Sequence, residues 1–305
     1  MFLNSSLRLP TLTAALLGFS LLANPLQAAE IQEIKQPYQG LTVNANLMLA
    51  DGKSYADSMV LITHGTLTHK GRSTYAQLQK NLAAQGVSSL AFNLSLGVND
   101  RDGEYDCAVT HTHKHTDALQ EIGFWANWLK EQGSQDVTLM GHSRGGNQAA
   151  WYASEQAAPN VQRLVLLAPA TGEQQSASEY SAKAGKPLEP ILKQAQQSVA
   201  EGKGDTLLQK TDFIYCKEAT VSAAAFADYY TPKSQFDTPS LLKDAKLPTL
   251  VIMGSADTVV ADLPAKIQPL AEAGKIQTVT LEDADHFFLD FANEDTASAI
   301  VEFIQ

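Results

Sequence analysis

The feature that most limits the fold of this chain is the sequence GHSRGG at positions 141–146. It follows an apolar run at 137–140 and precedes a helix-compatible run at 147–153. A Gly-x-Ser-x-Gly sequence in this setting is typical of a sharp turn from strand to helix that exposes the serine hydroxyl. A Cβ atom at either flanking glycine would collide with the neighbouring strand or helix in so tight a bend. The pattern therefore predicts that Ser143 is a nucleophile held at the end of a buried strand.

Strand-like and helix-like segments alternate along most of the chain. Predicted strands lie at 31–36, 41–49, 58–63, 87–94, 136–140, 161–167, 248–253 and 276–281. Predicted helices lie at 74–85, 116–132, 147–157, 263–273 and 291–304. Continuous apolar strands joined by helices are typical of a sheet that is covered on both faces. The chain is therefore predicted to be an α/β protein with a mostly parallel sheet flanked by helices.

One segment, 170–246, interrupts this alternation. It is rich in Ala, Gln, Ser and Lys, and it is predicted to form helices. Because it falls between two strands, it is predicted to be a helical cap inserted into a core made of residues 30–169 and 247–305. Six aromatic residues of the cap would either line an acyl or aromatic pocket or form the cap's own small core: Phe213, Tyr215, Phe226, Tyr229, Tyr230 and Phe236.

The first 29 residues are predicted to be a signal peptide. Arg8 supplies a positive charge, residues 11–23 are apolar, and Ala28 and Ala29 are small residues suited to cleavage. The apolar run is short for a bilayer span, although an uncleaved anchor is the alternative. We therefore expect a periplasmic or extracellular protein that has no stable membrane span after cleavage.

Net charge and cysteine content limit the partners and the compartment. The 305-residue chain has a net charge of −11, which disfavours polyanions, so no nucleic-acid partner is expected. After export, Cys107 and Cys216 would face an oxidising compartment, which favours a disulfide over two separate buried thiols. Such a bond would tie the predicted cap to the core.

A serine hydroxyl is a poor nucleophile at neutral pH, so Ser143 needs a base that is itself oriented by a carboxylate. His286 is the only histidine that follows Ser143 in the chain, and it lies just past the strand at 276–281. Asp257 lies just past the strand at 248–253, so the chain order Ser, Asp, His fits the arrangement expected on such a sheet. The rival carboxylates for the orienting role are Asp262, Asp283 and Asp285.

Two backbone N–H groups are needed to stabilise the oxyanion of an acyl-transfer intermediate. One is expected from Arg144, the residue after the nucleophile. The other is expected from Thr66, in the loop after the strand at 58–63. Gly65 would let the backbone approach, and His64 is predicted to hold this loop structurally rather than to act as a base.

These segments resemble the α/β-hydrolase superfamily from about residue 58 to residue 304, with an interruption at the cap. The resemblance rests on four segments: His64-Gly65-Thr66, GHSRGG, Gly254-Ser255-Ala256-Asp257 and Asp285-His286. It implies an eight-stranded-type sheet, a Ser nucleophile, a His base, an Asp orienter and, usually, ester hydrolysis. Two departures bear on the substrate. Segment 92–97 lacks the Asp-x-x-Gly-x-Gly run common after that strand, and Arg144 is charged where many members have an apolar residue.

Three alternating histidines, His111, His113 and His115, have a spacing that could bring them to one metal ion. Lys114 between them and the lack of an obvious carboxylate partner favour a polar loop at the rim of the pocket instead. No metal ion or cofactor is therefore expected.

The sequence thus predicts an exported serine hydrolase that cleaves a small-molecule acyl substrate, an ester or a thioester, through an acyl-enzyme. A peptidase, a lactonase and an acyltransferase would use the same residues. A non-catalytic binding protein on a hydrolase scaffold is the alternative class. Arg144 and the cap, rather than the nucleophile turn, are expected to determine the substrate.

Overall fold

The structure, a computed structural model, describes residues 1–2 and 30–305. The predicted signal peptide therefore lies outside the described residues, apart from its first two positions. Within the described ranges, no helix is both long enough and apolar enough to cross a membrane.

The described residues contain ten strands in two sheets. They are β1 (Gln32–Tyr38), β2 (Leu41–Met48), β3 (Met59–Thr63), β4 (Ser88–Phe92), β5 (Val137–His142), β6 (Val161–Leu167), β7 (Leu207–Phe213), β8 (Cys216–Ser222), β9 (Thr249–Gly254) and β10 (Gln277–Leu281). Eight of them form one sheet in the order β1-β2-β4-β3-β5-β6-β9-β10. Strand β2 pairs antiparallel with β1 and β4, and every other pair in this sheet is parallel. The predicted fold class, a mostly parallel eight-stranded sheet flanked by helices, is confirmed.

Helices connect the parallel strands. In the described part of the chain they are α1 (Ser73–Ala84), α2 (Asp117–Glu131), α3 (Arg144–Glu155), α4 (Ala177–Ala184), α5 (Glu189–Ala200), α6 (Ala223–Tyr230), α7 (Thr238–Leu242), α8 (Leu263–Glu272) and α9 (Phe291–Ile304). Helix α2 shows why they form, because Leu119, Ile122, Trp125 and Leu129 recur at helical spacing and all four are buried. Helix α1 packs against α9, and α2 packs against α3.

The central strands carry apolar side chains on both faces and end at one edge of the sheet. Every residue of β3 and β5 is buried, as expected for strands with helices on both sides. Because β3, β5, β9 and β10 are parallel, their carboxyl ends meet at the same edge. The loops that follow them contain Thr66, Ser143, Asp257 and His286, so the topology alone gathers the predicted site residues.

The segment between β6 and β9 differs from the prediction of helices throughout. It contains α4 to α7, but residues 207–222 form the antiparallel hairpin β7–β8. Its first strand begins Leu-Leu-Gln-Lys, residues that favour helices in isolation, and its turn lacks the Gly or Asn that would signal a hairpin. Tertiary contacts set the conformation, because His111 exchanges backbone hydrogen bonds with Thr220 and Ser222 of β8.

A buried carboxyl group in α2 makes the stability of this fold depend on pH. Glu121 is 4% exposed, and its carboxyl oxygens contact the backbone N–H of Ser95 at 2.7 Å and the Ser95 hydroxyl at 2.6 Å. Burial, with a smaller contribution from the charge of Asp117, raises the pKa of Glu121 from 4.5 to about 7. The Ser95 hydrogen bonds and the charge of Arg101 oppose this shift without cancelling it.

We expect the variant Glu121→Gln to become more stable than the wild type as the pH rises. At a pH between the pKa of Glu121 in the unfolded state and its pKa in the folded state, the folded protein holds a proton that the unfolded protein has released. The free energy of unfolding of the wild type therefore falls as the pH rises through this range. Gln can keep both Ser95 contacts and does not titrate. Urea unfolding should show the difference between variant and wild type growing by about 2 kcal/mol from about pH 5 to about pH 8. The control is Glu131→Gln, at an exposed position of the same helix. If the stability of Glu121→Gln relative to the wild type were as independent of pH as that of the control, the expectation would be contradicted.

Candidate active site

Ser143 lies at the sharp turn between β5 and α3. Its backbone has φ 55° and ψ −123°, a conformation that non-glycine residues rarely adopt and that persists only when the surroundings enforce it. The flanking glycines make the turn possible, because a Cβ at Gly141 would lie 2.3 Å from the Gly145 carbonyl oxygen. A Cβ at Gly145 would lie 2.2 Å from the His64 carbonyl oxygen. The turn therefore packs the backbone around Ser143 directly against the end of β3.

The structure brings Ser143, His286 and Asp257 into one hydrogen-bonded chain. The Nε2 atom of His286 lies 2.9 Å from Ser143 Oγ, and its Nδ1 atom lies 2.7 Å from Asp257 Oδ2. The side chains of His286 and Asp257 are 7% and 4% exposed, so water has little access to this contact. With Nδ1–H donating to the carboxylate, Nε2 carries the lone pair and can accept a hydrogen bond from the Ser143 hydroxyl.

Asp257 is held as an acceptor by more than the histidine. Its Oδ1 atom accepts hydrogen bonds from the backbone N–H groups of Val259 at 2.7 Å and Val260 at 3.2 Å. Burial acts to raise the pKa of Asp257, but His286 and these two N–H groups lower it by more, so the net pKa lies below the ordinary value. The carboxylate is therefore ionised at neutral pH and can stabilise a positive charge on His286.

Two of the three rival carboxylates make other contacts, and the third, Asp283, is exposed. Asp262 accepts a hydrogen bond from Thr171 at 2.7 Å and pairs with Lys266 at 2.9 Å. Asp285 accepts the backbone N–H of Phe287 at 2.8 Å. Among these carboxylates, only Asp257 contacts the His286 ring, which is the arrangement that the sequence favoured.

A second buried histidine, His142, links three parts of the site, and the sequence did not single it out. Its Nε2–H donates to the carbonyl oxygen of His286 at 2.8 Å, so its Nδ1 accepts the hydroxyl of Tyr75 at 2.8 Å. The Tyr75 oxygen in turn accepts the backbone N–H of Gly65 at 2.8 Å. Burial lowers the pKa of His142 to about 3, so the ring stays neutral and keeps these roles. Its position just before Ser143 was the one available signal.

The loop after β3 comes close to Ser143. A Cβ at Gly65 would lie 3.3 Å from Ser143 Cβ, so only glycine allows this approach without displacement. His64 holds the loop, because its Nδ1–H donates to the Gly65 carbonyl at 2.8 Å and its Nε2 accepts the backbone N–H of Leu94 at 3.1 Å. The structural role predicted for His64 fits these contacts.

The two residues predicted to supply oxyanion donors are in contact with each other. The Nε–H of Arg144 donates to Thr66 Oγ1 at 3.1 Å. Arg144 is the first residue of α3, so its backbone N–H has no partner within the helix and lies at the positive end of the helix dipole. Both residues line the cavity that contains Ser143 and His286. The arrangement can accommodate a carbonyl oxygen that becomes negatively charged.

That cavity has a volume of about 330 Å³, which suits a small organic substrate. The predicted cap supplies part of its wall through Tyr180, Lys183, Tyr215 and Tyr230. The two interpretations of the cap aromatics each hold for some of them. Tyr215 and Tyr230 line the cavity, whereas Phe213, Phe226, Tyr229 and Phe236 are buried away from its lining.

The three alternating histidines do not lie at the rim of the cavity, which corrects that interpretation. All three are buried where the end of the loop 97–115 packs against the inserted segment. His113 contacts the Tyr229 hydroxyl at 3.0 Å, and the His115 ring packs edge-on against Phe236. Burial lowers the pKa of His113 to about 3. In the described part of the chain, no three His, Cys, Asp or Glu side chains are grouped so that they could hold a metal ion.

The predicted disulfide is confirmed. Cys107 and Cys216 are bonded, with their Cα atoms 5.4 Å apart and 109 positions separating them in the chain. The bond joins the loop that precedes α2 to the start of β8, and so it ties the inserted hairpin to that loop. Closing so long a loop stabilises a fold by up to about 4–5 kcal/mol in the chain-entropy account.

Fold and site together define an α/β hydrolase. The chain belongs to the family described as "Serine aminopeptidase, S33", whose model matches residues 54–296. None of the curated proteins compared with the chain matches it.

Solved structures of three similar proteins share the fold at low sequence identity. Est1E from Butyrivibrio proteoclasticus is 16% identical with a TM-score of 0.62, over 89% of this chain and 98% of that one. The esterase domain of a Rhodothermus marinus protein is 15% identical with a TM-score of 0.57, over 90% of this chain and 100% of that one. An esterase from Pyrococcus furiosus is 16% identical with a TM-score of 0.59, over 90% of this chain and 91% of that one.

Proposed function

We propose that the protein is an exported serine hydrolase that cleaves carboxylic esters through an acyl-enzyme. The observation that carries the proposal is the hydrogen-bonded chain from Ser143 Oγ through His286 to Asp257. Export is supported by the predicted signal peptide and by the disulfide, a bond typical of oxidising compartments.

In the proposed mechanism, Ser143 Oγ attacks the ester carbonyl carbon while His286 Nε2 takes the serine proton. Asp257 stabilises the imidazolium that forms. The backbone N–H groups of Thr66 and Arg144 donate to the oxyanion of the tetrahedral intermediate. His286 then passes its proton to the departing alkoxide, which leaves the acyl group on Ser143.

Water completes the cycle. His286 accepts a proton from a water molecule that attacks the acyl-enzyme, and it returns that proton to Ser143 Oγ as the carboxylic acid departs. The buried contact between His142 and the His286 carbonyl holds the base at the right distance for both halves of the reaction.

A peptidase with the family's named specificity is the second candidate, and the cavity disfavours it. An aminopeptidase has to hold a substrate ammonium group, which calls for a free carboxylate near the scissile bond. Among the described residues that line the cavity, Glu179 is the acidic one, and it pairs with Lys183 at 2.7 Å. The esterases among the structural neighbours agree with the ester assignment.

Hydrolysis assays with phenyl esters of graded chain length test this proposal. The purified mature protein should cleave the acetate and butyrate esters with saturable kinetics, and the octanoate ester more slowly, because the cavity is small. Alanine p-nitroanilide should be the poorer substrate. Cleavage of the anilide in preference to every ester would replace the esterase assignment with a peptidase, and no cleavage of any acyl compound would favour a binding protein.

A further inference from the structure

The cationic side chains of the cavity differ in one respect that bears on the substrate. Arg72 lies 3.6 Å from the carboxylate of Glu104, and Lys183 lies 2.7 Å from that of Glu179. Arg144 has no carboxylate within ion-pair distance among the described residues, although it is only 8% exposed. The cavity therefore contains one buried guanidinium whose charge the protein itself does not balance.

The hydrogen bonds of Arg144 leave part of the guanidinium free. Its Nε–H donates to Thr66 Oγ1 at 3.1 Å, and Nη1 lies 3.4 Å from His115 Nδ1. His115 accepts there, because its other nitrogen donates to Asn147 Oδ1 at 3.1 Å. An arginine has five N–H donors, so three remain without a partner among the described residues, including both on Nη2.

The immediate surroundings hold the Arg144 side chain in place without neutralising it. The guanidinium carbon lies 5.3 Å from the centre of the Tyr229 ring, and that ring is itself fixed by the contact between its hydroxyl and His113. Burial of an unpaired charge is unfavourable, and a cation–π contact offsets only part of that cost. A side chain that is fixed, buried and incompletely bonded is preorganised to receive an anion from the substrate.

The balance of charge indicates what kind of anion fits. Since the other two cations are already paired, the cavity has one positive charge left to neutralise. A monoanion neutralises that charge, whereas a phosphate dianion would leave an excess negative charge. The free end of a guanidinium presents parallel N–H groups that match the two oxygens of a carboxylate. Arg144 also directly follows Ser143, so a bound carboxylate would sit within one small substrate's length of the scissile bond.

We propose that Arg144 binds a carboxylate of the substrate, so that the enzyme prefers esters bearing a second, negatively charged group. The half-esters of short dicarboxylic acids, or esters of hydroxy acids, are the substrate class. This proposal rests on the proposed ester hydrolysis for its reaction, and its carboxylate-binding part can be measured without turnover. Hydrolysis adds water across the ester bond and releases an alcohol and an acid, with the binding carboxylate unchanged.

Matched esters that differ only in the carboxylate test the preference. In the first pair the charge is on the acyl side: methyl hydrogen glutarate carries the carboxylate and methyl valerate lacks it. In the second pair the charge is on the leaving group: 4-acetoxybenzoate carries the carboxylate and phenyl acetate lacks it. In at least one pair, wild-type kcat/KM should favour the charged ester about 10-fold to 100-fold. Equal or lower kcat/KM for the charged ester in both pairs would overturn the proposal.

The variant Arg144→Met separates carboxylate binding from support of the Thr66 loop. Met fills a similar volume against Tyr229 without charge, so the ratio of charged to neutral kcat/KM should fall to about one. Arg144→Lys should keep part of the preference. The control Lys203→Met removes an exposed cation that lies outside the cavity lining and should leave the ratio unchanged. An equal loss on both esters in Arg144→Met would assign the side chain to the loop alone and contradict the proposal.

Calorimetric binding to Ser143→Ala distinguishes failure of this inference from failure of the esterase assignment. The inactive variant should bind methyl hydrogen glutarate, and Arg144→Met in the same background should bind it at least about tenfold more weakly. If the inactive variant binds methyl hydrogen glutarate but the wild type hydrolyses no ester, the esterase assignment is rejected and the carboxylate site is kept. Hydrolysis of neutral esters without such binding would reject only the carboxylate site.

Discussion

Replacing Ser143 with Ala is expected to lower kcat/KM for ester hydrolysis about 10⁴-fold to 10⁶-fold, with little change in stability. The physical reason is the loss of covalent catalysis, because His286 then has no hydroxyl within reach and the acyl-enzyme cannot form. The Ala variant keeps the backbone donors at Thr66 and Arg144, so a small residual rate over water remains. Initial rates with phenyl butyrate measure the loss.

A control in the helix that follows Ser143 separates this effect from the removal of any serine hydroxyl. Ser154 lies in α3, the helix that begins directly after Ser143, and its hydroxyl donates to the Trp151 carbonyl at 2.8 Å. Ser154→Ala should hydrolyse the ester at close to the wild-type rate. If Ser143→Ala kept activity within about tenfold of the wild type, the nucleophile would have to be another group.

Replacing Gly145 with Ala is expected to destabilise the fold by more than about 4 kcal/mol or to prevent folding. The added Cβ would lie 2.2 Å from the His64 carbonyl oxygen and 2.7 Å from the Thr63 carbonyl oxygen. Both contacts are with backbone at the end of β3, which is fully buried and paired on both sides, so neither can move cheaply. Urea unfolding followed by circular dichroism measures the change.

Gly172→Ala is the matched control for this prediction. A Cβ at Gly172 would lie 3.5 Å from Asp237 Cβ, an ordinary van der Waals contact. The control should therefore stay within about 1 kcal/mol of the wild type. A Gly145→Ala variant as stable as the control would contradict the tight packing of this turn against the end of β3.

The sequence predicted which edge of the sheet carries the candidate site because each part has a strong local signal. Buried strands read as continuous apolar runs, and the parallel topology then places the ends of β3, β5, β9 and β10 side by side. His286 followed by elimination, since no other histidine comes after Ser143. Asp257 followed from its place after β9, and the structure adds the contact that distinguishes it from its rivals.

What the sequence did not predict depends on contacts between distant segments. The hairpin β7–β8 is polar and has helix-favouring residues, and it is held by the disulfide and by backbone bonds to His111. The burial of His113 and His115 follows from aromatic packing against Tyr229 and Phe236, which no local pattern encodes. The incomplete bonding of Arg144 likewise became visible only when its neighbours were in place.

Covalent labelling with a fluorophosphonate tests most directly whether Ser143 is the activated nucleophile. Such a probe reacts with a serine only when a base and an oxyanion site activate it. Peptide mass spectrometry of the labelled wild-type protein should find one adduct, on Ser143, and none in Ser143→Ala. A folded wild-type protein that stays unlabelled, or one that carries its adduct on another residue, would contradict the account.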